Sequence, residues 1–131
     1  MLSPLSWAQQ WFTVASPRDT VSPVVEIDLD TVRFHGGTGE GVIRVSADAL
    51  QQHPAGFTYR SFVAAAHFDC IRQGISLGSA AYFALPPAQG TPLGTEDSGR
   101  TADTTPNLIA SIPIAARQAL LKAMCATAHA N

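Results

Sequence analysis

The sequence predicts a small two-layer α+β fold, in which a small antiparallel sheet, a hairpin, packs against helices. Three patterns lead to this expectation. Val25, Ile27 and Leu29 alternate with acidic residues, as in a half-buried strand. Glycines between positions 36 and 41 interrupt the alternation before it resumes at 42–45, which is typical of a hairpin. Apolar residues then recur at helical spacing further along the chain.

The order of these patterns divides the chain into four segments. Ser3 followed by Pro4 is typical of a helix start. A stretch rich in Pro, Gly, Thr and Ser separates the central part from the C-terminal part, and it is too polar to bury a core. The predicted segments are an N-terminal helix at 1–17, an α+β core domain at 18–85, a flexible linker at 86–106 and a C-terminal amphipathic helix at 107–131.

Two helices are predicted to cover the sheet within the core. A short one follows the capping residue Ser46 and occupies 47–52. A longer one occupies about 60–84, because Phe62, Ala65 and Phe68 recur at helical spacing. The glycines at positions 74 and 78 each weaken a helix by ~1 kcal/mol relative to alanine. We expect the helix to continue through them.

The charge content of the chain favours association with another protein. Charged residues make up 14% of the sequence, against ~25% in an average soluble domain. We therefore expect a homodimer or a small protein partner. The net charge is −2, and the seven arginines and Lys122 are scattered along the chain. This distribution argues against nucleic-acid binding, which needs clustered basic residues.

Targeting signals are not evident in the sequence. The N-terminus lacks the basic and apolar segments of a signal peptide, and no stretch approaches 18 apolar residues. Cys70 and Cys125 are too few for a disulfide framework and are predicted to be free, apolar helix residues. These features, with Arg preferred over Lys and abundant Ala, predict a bacterial protein of the cytoplasm, outside the membrane.

One pattern suggests a serine hydrolase. Gly74, Ser76 and Gly78 form the Gly-x-Ser-x-Gly arrangement of a nucleophile elbow. Upstream, His35 and its two following glycines resemble an oxyanion loop. The later residues Asp97 or Asp103, followed by His129, would complete the order of a catalytic triad.

Three observations argue against that enzyme. Only 36 residues (38–73) separate the two motifs, whereas each βαβ unit of the hydrolase fold needs ~30 residues. The segment before Gly74 has helical spacing rather than strand spacing. The candidate acids fall in the predicted linker, and His129 lies near the end of the sequence. Helix-packing glycines are therefore the preferred interpretation, and Ser76 is kept as an alternative nucleophile.

Ligand-binding patterns are incomplete. The glycines at 36–41 could hold a phosphate, but a strand rather than a helix follows them, which favours a hairpin tip. His67 and Cys70 share a predicted helix face and could be half of a metal site. Zinc needs three or four ligands, so a core cysteine beside a histidine is preferred. Glu26, Asp28 and Asp30 could bind a cation or form a solvated sheet face. No cofactor is predicted.

Several short motifs resemble a small uncharacterised family of bacterial α+β domains. They are Val32-Arg33-Phe34, Val45-Ser46-Ala47-Asp48-Ala49-Leu50, and Phe68-Asp69 with Arg72, Ile75 and Tyr82. The resemblance covers about residues 25–85. It implies an antiparallel sheet backed by helices, with the Gly-x-Ser-x-Gly pattern inside a helix, and it implies no established activity.

The sequence thus favours a non-enzymatic interaction or regulatory module that associates with itself or with a protein partner. Arginine and tryptophan are enriched at specific interfaces. The candidate contact residues are Arg33, Arg44, Arg72, Trp7 and Trp11. For the three arginines, pairing with the strand carboxylates is the preferred interpretation. The alternatives are a hydrolase that uses Ser76 and a binder of a small apolar ligand held between sheet and helices.

Overall fold

The computed structural model describes residues 10–15, 23–86, 88, 90–96 and 108–130. Six strands and a C-terminal helix follow one another in this part of the chain. They are β1 (Trp11–Ala15), β2 (Val24–His35), β3 (Thr38–Gln52), β4 (Thr58–Asp69), β5 (Gly74–Phe83), β6 (Gly94–Glu96), a 3-10 turn (Ile109–Ser111) and α1 (Ile114–Ala130).

The strands form one antiparallel sheet in which each strand pairs with the next one in the sequence. The order across the sheet is β1-β2-β3-β4-β5-β6. Helix α1 contacts β1, β2, β4 and β5. The predicted α+β fold, with a small hairpin sheet covered by several helices, is therefore wrong. The protein is mostly antiparallel sheet, with one short C-terminal helix in the described part.

The hairpin predicted from the N-terminal alternation is confirmed. Strands β2 and β3 pair in antiparallel fashion, with Ile27 opposite Ile43. A two-residue turn joins them, and its first residue, Gly36, has a φ of 66°. Glycine adopts this left-handed conformation without the steric cost that a Cβ imposes. The turn is thus shorter than the predicted glycine-rich tip, because residues 38–41 already belong to β3.

The predicted long helix at 60–84 is instead a pair of strands. Along β4, burial alternates with period two, so that Phe62, Ala64, Ala66 and Phe68 are buried. Alanine fits a helix and a strand alike in this pattern, which is why helical spacing was also present. The chain reverses just after Asp69. The carboxylate of this residue accepts hydrogen bonds from the backbone amides two and three positions later, at 3.1 and 3.0 Å.

Two other predicted helices also differ from the structure. Residues 47–52, predicted as a short helix, belong to the long strand β3, whose pairing with β4 shifts register between Ser46 and Gln51. Such an irregularity hides the strand period from the sequence. Residues 11–15, placed in the predicted N-terminal helix, form β1. Within the predicted linker, Gly94–Glu96 pairs with β5 as β6.

The hydrophobic core lies between the sheet and α1. Val25, Ile27 and Ile43 are almost fully buried in the sheet. Leu120 and Met124 on α1 are buried to the same extent and belong to the same cluster. Burial of a side chain of this size stabilises the fold by ~1.5–3 kcal/mol. This packing makes one face of the sheet the core face.

A disulfide bond joins the sheet to the helix. Cys70 follows β4, Cys125 lies on α1, and the two sulfur atoms are bonded across 55 positions of the sequence. The prediction that both cysteines are free is therefore wrong. The spacing of a single pair gives no sign of pairing; the fold brings the two Cα atoms to 5.6 Å, within the range that a disulfide requires.

Candidate interaction surface

The candidate residues lie mainly on the sheet face turned away from α1, which we call the open face. Neighbouring residues of a strand point to opposite faces. Since Ile27, Ile43 and Phe68 are in the core, the residues next to them point outwards. Directly paired residues share a face. The open face consequently carries Glu26 and Asp28 of β2, Glu40 and Arg44 of β3, and His67 of β4.

Four polar residues form a row across the open face, which we call the polar row. Arg33 pairs with Glu40, Glu40 with His67, and His67 with Ser76, on four successive strands. All four are exposed. The Nδ1 atom of His67 lies 3.9 Å from the Oε1 atom of Glu40, and about half of each side chain remains accessible to solvent. The row therefore offers both donors and acceptors to a partner.

A groove of about 480 Å³ extends from the polar row to the end of the sheet. The turn after β4 contributes Arg72, whose side chain is 87% exposed. His35, Thr38 and Asp69 line the same groove. The guanidinium of Arg72 is 4.0 Å from the Asp69 carboxylate, and an ion pair this exposed contributes little to stability. Arg72 is thus available for contact with another molecule.

Arg44 is held by other side chains of the open face. Its guanidinium donates to both carboxylate oxygens of Glu26, at 2.8 and 2.9 Å. It also lies over the ring of Trp11, 4.3 Å from the centroid. The side chains of Arg44 and Glu26 are only 17% and 15% exposed. This three-residue contact ties β1, β2 and β3 together, so Arg44 supports the sheet more than it offers a free binding group.

Replacing Arg44 by Ala should lower the free energy of unfolding by about 1–3 kcal/mol, because the change leaves the partly buried Glu26 carboxylate unpaired. Urea denaturation measures this. In a double-mutant cycle with Glu26→Ala, the second change should cost less in the Arg44→Ala background than in the wild type. The control is Arg33→Ala, an exposed position where we expect a change within about 0.5 kcal/mol. Equal losses for Arg33→Ala and Arg44→Ala would contradict this account.

The strand carboxylates do not form a common cation site. Glu26 is paired with Arg44, and Asp30 is exposed. The Asp28 carboxylate is buried and accepts hydrogen bonds from the amides of Gln10 and Asp30, at 3.0 and 3.1 Å. Across the described residues, no three His, Cys, Asp or Glu side chains are arranged to hold a metal ion. The acidic strand face is a structural feature of the sheet.

The Gly-x-Ser-x-Gly segment lies within strand β5. A nucleophile elbow needs a sharp turn from strand to helix, and β5 is followed by β6 of the same sheet. Ser76 is exposed opposite His67 in the polar row. Trp7, Asp97 and Asp103 lie outside the described residues.

The predicted pair of His67 and Cys70 does not share a helix face. His67 is on β4, and Cys70 follows that strand, with its amide donating to the carbonyl of Gly37 at 2.8 Å. The sulfur of Cys70 is bonded to Cys125, so it offers no thiolate to a metal.

Sequence reasoning missed several residues of this surface. Glu40 and Thr38 fell within the predicted hairpin tip and received no role, and His35 was considered only as part of an oxyanion loop. Their position became visible only from the strand register, which places Glu40 against His67. The sequence signal for these positions is the strand alternation of residues 40–45. Extending that alternation back to Thr38 would have predicted the start of β3.

The family model for surface-adhesin protein E matches residues 11–126 of the chain. The chain belongs to this family. The match is wider than the motif resemblance over residues 25–85 and concerns a family of surface adhesins. No curated protein and no solved structure matches the chain.

Family membership corrects the predicted location. A surface-adhesin family points to a secreted or cell-surface protein, so the cytoplasmic prediction is wrong. The disulfide agrees with this correction, because disulfides persist in oxidising compartments outside the cytosol. Within the described part of the chain, no helix has the length and apolarity needed to cross a membrane.

The family also bears on function in a general way. An adhesin family implies binding to other molecules, which is consistent with the predicted interaction module and suggests a non-enzymatic role in adhesion. The homodimer is not shown and stays a prediction.

Proposed function

We propose that this protein is an adhesion module that binds another protein through the open face. The observation that carries the proposal is the polar row, an exposed line of Arg33, Glu40, His67 and Ser76 on the face that α1 leaves uncovered. Membership of a surface-adhesin family supports it.

The chemistry of the open face favours a folded protein partner with mixed charge. Arg33 and Arg72 alternate with Glu40 and Asp69 over the row and the groove, so neither sign dominates. Interfaces that form and dissociate are about as polar as the rest of a protein surface, with arginine enriched. The Nη1 atom of Arg33 donates to the carbonyls of Asp30 and Val32 at 3.0 and 2.8 Å, which holds the guanidinium in place beside the row.

Binding to layers of cultured eukaryotic cells tests the proposal. The variant that combines Arg33→Glu, His67→Ala and Arg72→Glu should bind at least about tenfold more weakly, because removal of interface arginines commonly costs 1–2 kcal/mol or more. All three residues are exposed, so the fold should persist. Lys122→Glu, on an exposed position of α1, is the matched control and should bind as the wild type does.

Two results would contradict the proposal. One is equal binding by the open-face variant and the wild type. The other is covalent labelling of the wild type by a fluorophosphonate probe that Ser76→Ala abolishes, since this would favour the hydrolase alternative. Sedimentation equilibrium on the same proteins measures the homodimer, which we retain as part of the proposal.

A further inference from the structure

A second cavity lies on the opposite side of the sheet from the polar row, where β3 and β4 meet the segment that leads into α1. Its volume is about 240 Å³. Val45, Tyr59 and Phe62 line it, and each of these side chains is less than a tenth exposed. Pro113 lines it from the side of the helix. The cavity thus has buried apolar side chains on one part of its wall and polar residues such as Gln51 on the rest.

One of the residues that line the cavity is charged. Arg60 of β4 lines the cavity and is partly buried. No hydrogen bond or ion pair connects its guanidinium with another described residue. The lining residues in the described part of the chain include no Asp or Glu. A guanidinium keeps its charge at every physiological pH, and partial burial of a charge without a counter-ion is unfavourable.

The start of α1 adds to the positive potential. The helix begins at Ile114, next to the lining residue Pro113, and its first turn contains no acidic side chain. The N-terminal end of a helix carries a partial positive charge and free amide groups, which favour an anion nearby. Arg60 and this helix end are two independent features that attract negative charge to the same cavity.

We propose that this cavity binds a small amphipathic monocarboxylate, with the carboxylate on Arg60 and the apolar body against Val45, Tyr59 and Phe62. A carboxylate matches the planar fork of a guanidinium, which can donate two parallel hydrogen bonds to it. The volume is below the ~300–1,000 Å³ of pockets for drug-sized molecules. The ligand is therefore a medium-chain fatty acid or a simple aryl carboxylate. This site is separate from the open face.

Calorimetric titration with octanoate, octanol and acetate tests the assignment. Octanoate should bind at least about tenfold more tightly than octanol, because octanol has the same apolar body without the charge. Octanoate should also bind more tightly than acetate, which has the charge but lacks the apolar body. Arg60→Gln should weaken octanoate about tenfold or more and leave octanol unchanged. Arg33→Gln is the control, since it removes an arginine from the other face of the sheet.

A second variant keeps the test independent of any effect of Arg60 on folding. Ser111 lines the cavity and is exposed, and Ser111→Asp places a negative charge beside the ligand carboxylate just before α1. Acidic residues near a helix start favour the helix, so the fold should persist while octanoate binding falls severalfold. The assignment is overturned if octanoate does not bind, if octanol binds as tightly, or if Arg60→Gln has no effect. Arg60→Gln should bind to cells as the wild type does. The test of carboxylate binding is therefore independent of the test of the proposed adhesion.

Discussion

The variant Cys70→Ser/Cys125→Ser should lose about 4 kcal/mol of its free energy of unfolding. The disulfide closes a loop of 55 positions, and the chain-entropy relation gives this value for a loop of that length, since the bond restricts the unfolded chain. The expected loss is large beside the total stability of a small domain, which is typically about 5–15 kcal/mol. Urea denaturation of variant and wild type under oxidising conditions measures it.

A reductant provides the matched control for this prediction. Wild-type protein treated with dithiothreitol should unfold at the urea concentration at which the serine variant unfolds. The variant itself should not respond to the reductant. A loss below about 1 kcal/mol would show that packing of α1 on the sheet holds the helix without the bond.

Tyr82→Ala should destabilise the protein by about 3–5 kcal/mol, the range for removal of a large buried aromatic side chain. Tyr82 is fully buried in β5. Its ring lies 4.6 Å from that of His53, 4.7 Å from that of Tyr59 and 5.7 Å from that of Phe57, measured between centroids. The substitution removes these edge-on contacts and leaves a cavity at the centre of the cluster.

Ser76→Ala is the control on the same strand. Ser76 is exposed, and we expect a change within about 0.5 kcal/mol. Thermal unfolding followed by circular dichroism compares the two variants with the wild type. If Tyr82→Ala unfolded within a few degrees of Ser76→Ala, the aromatic cluster would not be central to the stability of the sheet.

The sequence predicts a helix where the structure has the strands β4 and β5. The pattern around Val25 and Ile27 has a single period, so the hairpin of β2 and β3 could be predicted from it. Around Ala64 and Ala66 the side chains are small and fit both a helix and a strand. This segment forms the strand β4 because it pairs with β3 on one side and with β5 on the other. Such long-range hydrogen bonds leave no periodic signal in the sequence.

The candidate surface, too, could be predicted only in part from the sequence. The residue types that make contacts can be recognised in the sequence, which indicated Arg33, His67 and Ser76 separately. Their common row with Glu40 arises from the folded sheet, because residues far apart in the chain become neighbours through strand register. The fold also joins Cys70 to Cys125. Composition and local period report on neighbours within a few positions, whereas the row and the disulfide depend on contacts between distant segments, which only the folded sheet and helix establish.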